Sequence, residues 1–328
     1  MVVSRHFAGW PAWCRALTPV RRWSPLVFVA CYWPAVKLLG GFRGDHFSVG
    51  LVVLALGYGG PRAAALLRFL LPLMITGIVY DGRRYVDGHL LGPVHVAEPY
   101  LLEKRLFAIP TAGGALTPNE WWQRHLHPFL DLATGLCYLG FIVTFVLTAA
   151  YFVFRVSATG TKTRPAAFVR RRAPRMMWSL LVLNLAGFVT SAVYPAAPPW
   201  YVARYGLGPA DLTVAPSPAG CARFDQLLGT RVFSAFYGRS VDVFGAIASL
   251  HVAYPFLALY YAVQFGAARA ICAAVFVMMC FSAVYLNHHY VVDLIAGSAF
   301  ALLVGIGTSL LDRDRARGGR PARVSAAT

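Results

Sequence analysis

Residues 287–311 read NHHYVVDLIAGSAFALLVGIGTSLL, a polar knot of two histidines and an aspartate that opens a long apolar run. A membrane-crossing helix needs roughly 20 mostly apolar residues, and the stretch from Tyr290 to Leu311 supplies them with Asp293 as its one charge. An ionisable residue at the mouth of such a helix is costly in hydrocarbon and is a functional candidate by default. On a helix His289 and Asp293 stand four residues apart on one face. The carboxylate can then accept a hydrogen bond from one ring nitrogen and leave the other as a base or nucleophile. The plainer alternative is an interfacial histidine with an ordinary ion-pair partner.

The apolar pattern recurs outward along the chain. Its 328 residues are 58% hydrophobic and 13% charged, with a mean hydropathy of +0.58, more apolar than a soluble core of this length accommodates. Runs bounded by turn or charge signals fall near 25–40, 47–60, 64–80, 128–154, 174–194, 244–266, 268–286 and 290–311. The expected fold class is all-α, a polytopic transmembrane helical bundle of about six to eight membrane helices, the first two runs being short for a full span. Residues 1–24 hold no apolar core with a cleavage site and are expected to form a cytoplasmic tail. A single membrane domain is expected over 25–311, followed by a basic cytoplasmic tail over 312–328.

Charge sets the orientation. If all eight runs cross, one side collects Arg5, Arg15, Arg21, Arg22, Arg62, Arg68, the basic loop from Arg155 to Arg175, Arg269 and the tail arginines from Arg313 to Arg323. That side then carries essentially all of the +17 net charge, as the positive-inside rule expects of the cytoplasmic face. Both termini are thus expected in the cytoplasm, with 81–127, 195–243 and the Asn287-His288 turn on the opposite face. The basic residues flank apolar runs and line no groove interleaved with aromatics, which argues against nucleic acid and for anionic lipid headgroups. Cys31, Cys137, Cys272 and Cys280 lie in apolar runs, Cys14 in the N-terminal tail and Cys221 in a loop. This spacing predicts neither a disulfide framework nor a metal site, and no cofactor is expected.

A second histidine enters through Phe244-Gly245-Ala246-Ile247-Ala248-Ser249-Leu250-His251, which opens the sixth run. The charge pattern places His251 at the same outer depth as His289. Two histidines and an aspartate meeting there from separate helices predict a site between helices.

Ser249-Leu250-His251 resembles the second motif of the type 2 phosphatidic acid phosphatase superfamily, usually Pro-Ser-Gly-His. Residues Ser282 to Asp293 match the spacing of its third motif, Ser-Arg-x5-His-x3-Asp. The fuller likeness is to the fungal inositol phosphorylceramide synthase branch, with its Ser-Leu-His and His-His-Tyr-x-x-Asp forms. Tyr194 to Tyr201 resembles that branch's Ala-Pro-Pro-Trp-Tyr loop, and Tyr80 to Tyr85 is a weaker upstream match. The resemblance implies a catalytic core over about 128–311 in which His289 is the nucleophile, Asp293 its partner and His251 the general acid and base. It further implies a phospholipid donor such as phosphatidylinositol, a lipid alcohol acceptor such as ceramide, and a phosphohistidine intermediate.

The departures bear on the substrate. Ala283 stands where hydrolytic relatives carry an arginine, and Arg164-Pro165, the pair that would echo their first motif, falls on the cytoplasmic side; Ala248 replaces the usual proline. A phosphodiester carries one negative charge and requires fewer cationic clamps than a monoester, so a diester donor is expected. Arg239, Arg204 and Arg84, with Ser249, are the candidate substrate-binding residues, although each arginine alone reads equally well as a solvated interfacial charge. The 101–107 segment with Glu103, Lys104 and Arg105, and Trp121-Trp122, read as amphipathic surface elements. The alternative function is a lipid phosphate or polyprenyl diphosphate phosphatase with water as acceptor. A channel or transporter fits less well, because the ionisable residues cluster at one face.

Overall fold

A computed structural model of the chain describes residues 10–85, 91–240 and 242–318. The ends 1–9 and 319–328, parts of the expected tails, lie outside the described residues. Among the described residues the regular elements are helices apart from one short hairpin and two isolated bridges, and the chain falls into two compact units, Met1–Tyr85 and Val86–Thr328.

The first unit holds α1 (Trp10–Ala16), α2 (Pro19–Leu38), α3 (Gly44–Tyr58) and α4 (Pro61–Gly82). Helix therefore begins well inside the segment read as a tail, with Thr18 capping α2 and Pro19 at its first position, where the missing N–H costs nothing. Near the start of α3 and the end of α4 a polar cluster forms. Arg43 Nη2 and Arg84 Nε reach Asp81 Oδ1 at 2.6 and 2.8 Å, and His46 Nε2 lies 2.8 Å from Asp81 Oδ2. With Asp45, these residues bring a histidine and two carboxylates together. Two guanidiniums already neutralise the carboxylates, and both ring nitrogens of His46 are engaged.

The second unit opens with α5 (Ala97–Phe107), the hairpin β1 (Ile109–Thr111) and β2 (Gly114–Leu116), paired with Ile109 opposite Leu116, and α6 (Pro118–Gln123). Thr117 and Glu120 form a reciprocal capping box at α6. There follow α7 (Pro128–Leu139), α8 (Phe141–Ala150, running on through a π-turn to Thr159), α9 (Ala166–Arg172) and α10 (Arg175–Val193). The 195–243 segment carries α11 (Pro199–Tyr205), α12 (Cys221–Leu228) and α13 (Val232–Tyr237), and the last three helices are α14 (Leu250–Phe265), α15 (Arg269–Tyr285) and α16 (Val291–Gly318).

Each expected apolar run lies on helix, with two differences. The 128–154 run is interrupted at Gly140, and the 244–266 run becomes helical only at Leu250. Among the described residues four stretches are long and apolar enough to cross a membrane: Pro61–Tyr85, Phe141–Thr159, Ala166–Val193 and Val291–Leu311, with shorter apolar helices beside them. Val143, Leu147, Val189, Ile271, Ile295 and Leu303 all point outward. Apolar side chains on the outer faces of apolar helices are what a lipid solvent requires. The protein is an integral membrane protein.

Helix α14 is the hub of the second unit, packing against α8, α10, α15 and α16. The core beside it joins Tyr138, Val252, Met279, Tyr285 and Leu294 to Phe224 of α12 and Phe233 of α13. Gly297 lets α16 approach closely, since a Cβ there would lie 2.3 Å from the Ser249 carbonyl. The beginnings of α14 and α16 are thereby held together.

Candidate active site

Helix α15 ends at Tyr285, and Asn287 takes a left-handed conformation, φ +62°, that turns the chain sharply toward α16. The amides of His288 and His289 both return to the Ala283 carbonyl at 3.1 Å. This tight loop throws the two histidine rings in different directions. His289 points toward α14, where its Nε2 lies 3.3 Å from His251 Nδ1, while His288 turns back to the Pro218 carbonyl.

The partner of His289 Nδ1 differs from the one its spacing predicts. It lies 3.0 Å from the Ala246 carbonyl and 3.6 Å from Asp293 Oδ2, so the direct hydrogen bond goes to backbone. Only an N–H can make the bond to a carbonyl, which puts a proton on Nδ1; in the neutral ring the lone pair is then on Nε2. The reason for the offset is local: Asp293 Oδ2 accepts the Tyr290 N–H at 2.9 Å, capping the helix it belongs to. Asp293 is fully buried beside the ring.

Ala246 is held in place by the loop that precedes α11. Ala196 donates to the Phe244 carbonyl at 2.7 Å and accepts from Ala246 at 3.3 Å, and His95 brackets the same strand from its other side. Trp200, in the first turn of α11, donates to the Asn287 carbonyl at 3.1 Å. The Pro-rich Tyr194–Tyr201 stretch, which as sequence is only a resemblance, therefore supports both the carbonyl that fixes the tautomer and the loop that carries the ring.

His251 stacks on Tyr138, with ring centroids 4.2 Å apart. His288 lies between Tyr138 and Tyr237, at 5.1 and 4.9 Å, and donates Nε2–H to the Pro218 carbonyl at 3.0 Å. Burial in this aromatic sandwich, followed by the nearby His289, pushes the His288 pKa down to about 3, so it is neutral at any physiological pH.

Ser249 is buried, its N–H donating to the Asp293 carbonyl at 3.1 Å. The structure thus brings together His251, His289, Asp293 and Ser249. Arg204 lies in the last turn of α11 and Arg239 follows α13, both exposed, while Arg84 sits in the Met1–Tyr85 unit paired with Asp81. Ala283 lies fully buried in the core, with apolar packing where a guanidinium would have to stand.

Sequence reasoning missed Asn119, Gln123 and Arg223, and read Glu103, which is fully buried, as part of an amphipathic surface segment. Asn119 donates to the Val284 and His289 carbonyls at 3.0 Å, and Gln123 to the Tyr285 carbonyl at 2.9 Å. Glu103 accepts from the amides of Val291 and Val292, and Arg223 pairs with Asp131 at 2.5 Å and with Gln123 at 3.2 Å. The capping box at Thr117 could have announced α6, and Asn119 and Gln123 share one face of it; what they grip is visible only in three dimensions. Beside the loop lies a cavity of about 450 Å³, lined by Tyr100, Asn119, Glu120, Arg124, Asn287 and Tyr290 among others.

Residues 119–306 match the PAP2 superfamily. The chain is 34% identical over 267 residues to the phosphoinositol dihydroceramide synthase of Bacteroides thetaiotaomicron, a match spanning 80% of this chain and 83% of that protein. It is 38% identical over 122 residues to the inositol phosphorylceramide synthase catalytic subunit aur1 of Schizosaccharomyces pombe, covering 37% of this chain and 29% of that one. The likeness to AUR1 of Saccharomyces cerevisiae is also 38%, over 123 residues, covering 37% and 31%. No solved structure matches the chain. Fold, site and relatives together define an integral membrane enzyme, a phosphotransferase acting on lipids. The chain belongs to the PAP2 superfamily, and within it is similar to the inositol phosphorylceramide synthases.

Proposed function

We propose that the protein moves a phosphoinositol-type head group from a glycerophospholipid to a lipid alcohol, through a phosphohistidine on His289. The observation that carries this reading is the His289 ring, with Nδ1 held by the Ala246 carbonyl and Nε2 facing His251 at 3.3 Å. A nucleophile of fixed tautomer beside a second titratable ring is the arrangement that two-step displacement needs.

In the first step the Nε2 lone pair attacks phosphorus, the bond to the diacylglycerol oxygen breaks, and His251 as imidazolium protonates that oxygen. The bound phosphodiester anion favours the charged form of His251 that this requires. His289 becomes a positively charged phosphoimidazolium, stabilised by the Asp293 carboxylate 3.6 Å from Nδ1. In the second step neutral His251 takes the proton of the acceptor hydroxyl, whose oxygen displaces His289 and returns the electron pair to Nε2. Asp293 stabilises the charge throughout while the Ala246 carbonyl orients the ring, and Ser249, buried beside Asp293, is proposed to contact the phosphate.

Support for the donor comes from three directions. The relatives are named for phosphoinositol transfer to ceramides. Position 283 offers a phosphate monoester no cation. The cavity beside the loop also mixes a carboxylate, amides, phenols and an arginine, which suits a polyol that both donates and accepts hydrogen bonds. Phosphate clamping by Arg239 or Arg204 from the outer segment belongs to the same proposal, as does an active site on the non-cytoplasmic face with both termini in the cytoplasm, supported by the charge distribution.

The test supplies purified protein with phosphatidylinositol labelled in its head group, with and without ceramide. Label in a new lipid only when ceramide is present is the expected result, and His289→Ala and His251→Ala each abolish it. Release of free inositol phosphate without acceptor refutes transfer in favour of hydrolysis, and full activity in His289→Ala removes the nucleophile.

A further inference from the structure

The first amides of any helix have no carbonyl in their own helix to bond. At the start of α16 Asp293 satisfies that of Tyr290, and those of Val291 and Val292 go to the two oxygens of Glu103, at 3.0 and 3.1 Å. Glu103 comes from α5, a short helix whose Leu101, Leu102 and Leu106 are exposed. Its own side chain is fully buried, an expensive place for a carboxylate. Burial raises its pKa and the two amides draw it back, as expected of a carboxylate used as a helix cap. At the far side of the loop Asn119 and Gln123 bind the last carbonyls of α15. Both ends of the histidine loop are therefore held by side chains from α5 and α6, the two helices that flank the β-hairpin.

We propose that Glu103 is a positioning residue of the transfer reaction, a clamp from the amphipathic helix α5 that fixes the first turn of α16 and so the stance of Asp293 toward His289. The inference rests on the reading of His289 and Asp293 as the reacting centre. Asp293 reaches Nδ1 at 3.6 Å without a direct hydrogen bond, so its effect varies with that distance, and Glu103 holds the amides of Val291 and Val292 in the turn that carries Asp293. An outward shift of about 1 Å weakens that charge pair enough to slow the reaction about fivefold, and misdirection of the ring brings the loss to about tenfold or more.

The experiment compares Glu103→Gln and Glu103→Asp with wild type, using Glu98→Gln on the exposed face of α5 as control. Gln turns an NH2 group toward an amide N–H and keeps one bond of two; Asp keeps both oxygens on a shorter arm. In Glu103→Gln kcat per folded molecule is expected to fall about tenfold with KM within twofold. Glu103→Asp is expected to retain more, about a third of wild type, and Glu98→Gln all of it. A purely structural cap would lower the melting temperature and the folded yield but leave kcat per folded molecule alone. Unchanged kcat in a folded Glu103 variant overturns the proposal, and failure of both variants to fold assigns Glu103 to folding and overturns it equally. All results are read as ratios on whichever lipid donor the wild type turns over, so a wild type inactive on phosphatidylinositol refutes the donor and leaves the ratio standing.

Discussion

Replacing Asp293 by Asn isolates the charge beside His289 from everything else the residue does. Asn retains an oxygen to accept the Tyr290 N–H at 2.9 Å, so the cap of α16 survives, and the Nδ1 bond to the Ala246 carbonyl is untouched. What disappears is a carboxylate 3.6 Å from the nitrogen that carries positive charge once Nε2 is phosphorylated. At an effective dielectric constant near 20, that pair is worth about 4–5 kcal/mol, equivalent to roughly a 10³-fold loss of kcat. The charge develops only along the reaction, so KM should stay within a few-fold. Asp293→Ala should lose the same rate and, with the cap gone, about 1 kcal/mol of stability besides. The assay is head-group transfer in detergent at saturating ceramide, with the melting temperature of each variant measured in parallel. A folded Asp293→Asn enzyme slowed by less than about tenfold would refute electrostatic stabilisation by this carboxylate.

Three further outcomes follow from neighbouring residues. His288 is neutral in the fold with its pKa near 3 and ordinarily titrates at 6.5, so its contribution is fully present above pH 6.5 and is lost as the unfolded chain takes up the proton below it. Between pH 7 and pH 5 wild type should lose about 2 kcal/mol through this residue, seen as a melting-temperature drop that His288→Phe, which keeps the ring stack, does not share. Gly220→Ala places a Cβ 2.7 Å from the Leu286 Cα and carbonyl oxygen. Because that neighbour is backbone, the histidine loop must shift, and transfer should fall at least tenfold with about 1–3 kcal/mol of destabilisation by thermal melt. Ala283→Arg sets a guanidinium in the apolar core; it should reduce folded yield, at a cost of about 3 kcal/mol or more, and release no phosphate from phosphatidic acid.

The membrane class, the helical fold and the pairing of His251 with His289 were all legible along the chain. Apolar runs of membrane length admit few solvents, and motifs at the mouths of two such runs have few places to meet. His289 and Asp293 are near neighbours because four residues make one helical turn. The bond of His289 Nδ1 to Ala246, the two breaks in the apolar runs and the grip of Glu103, Asn119 and Gln123 on the loop were decided by tertiary structure. These contacts join residues up to 189 positions apart through backbone carbonyls and amides, and every residue type carries the same backbone groups. No side-chain pattern can therefore announce which carbonyl will receive the ring proton or which carboxylate will cap a distant helix; only the packing that brings α5, α6 and the Ala196 strand around α16 makes that choice.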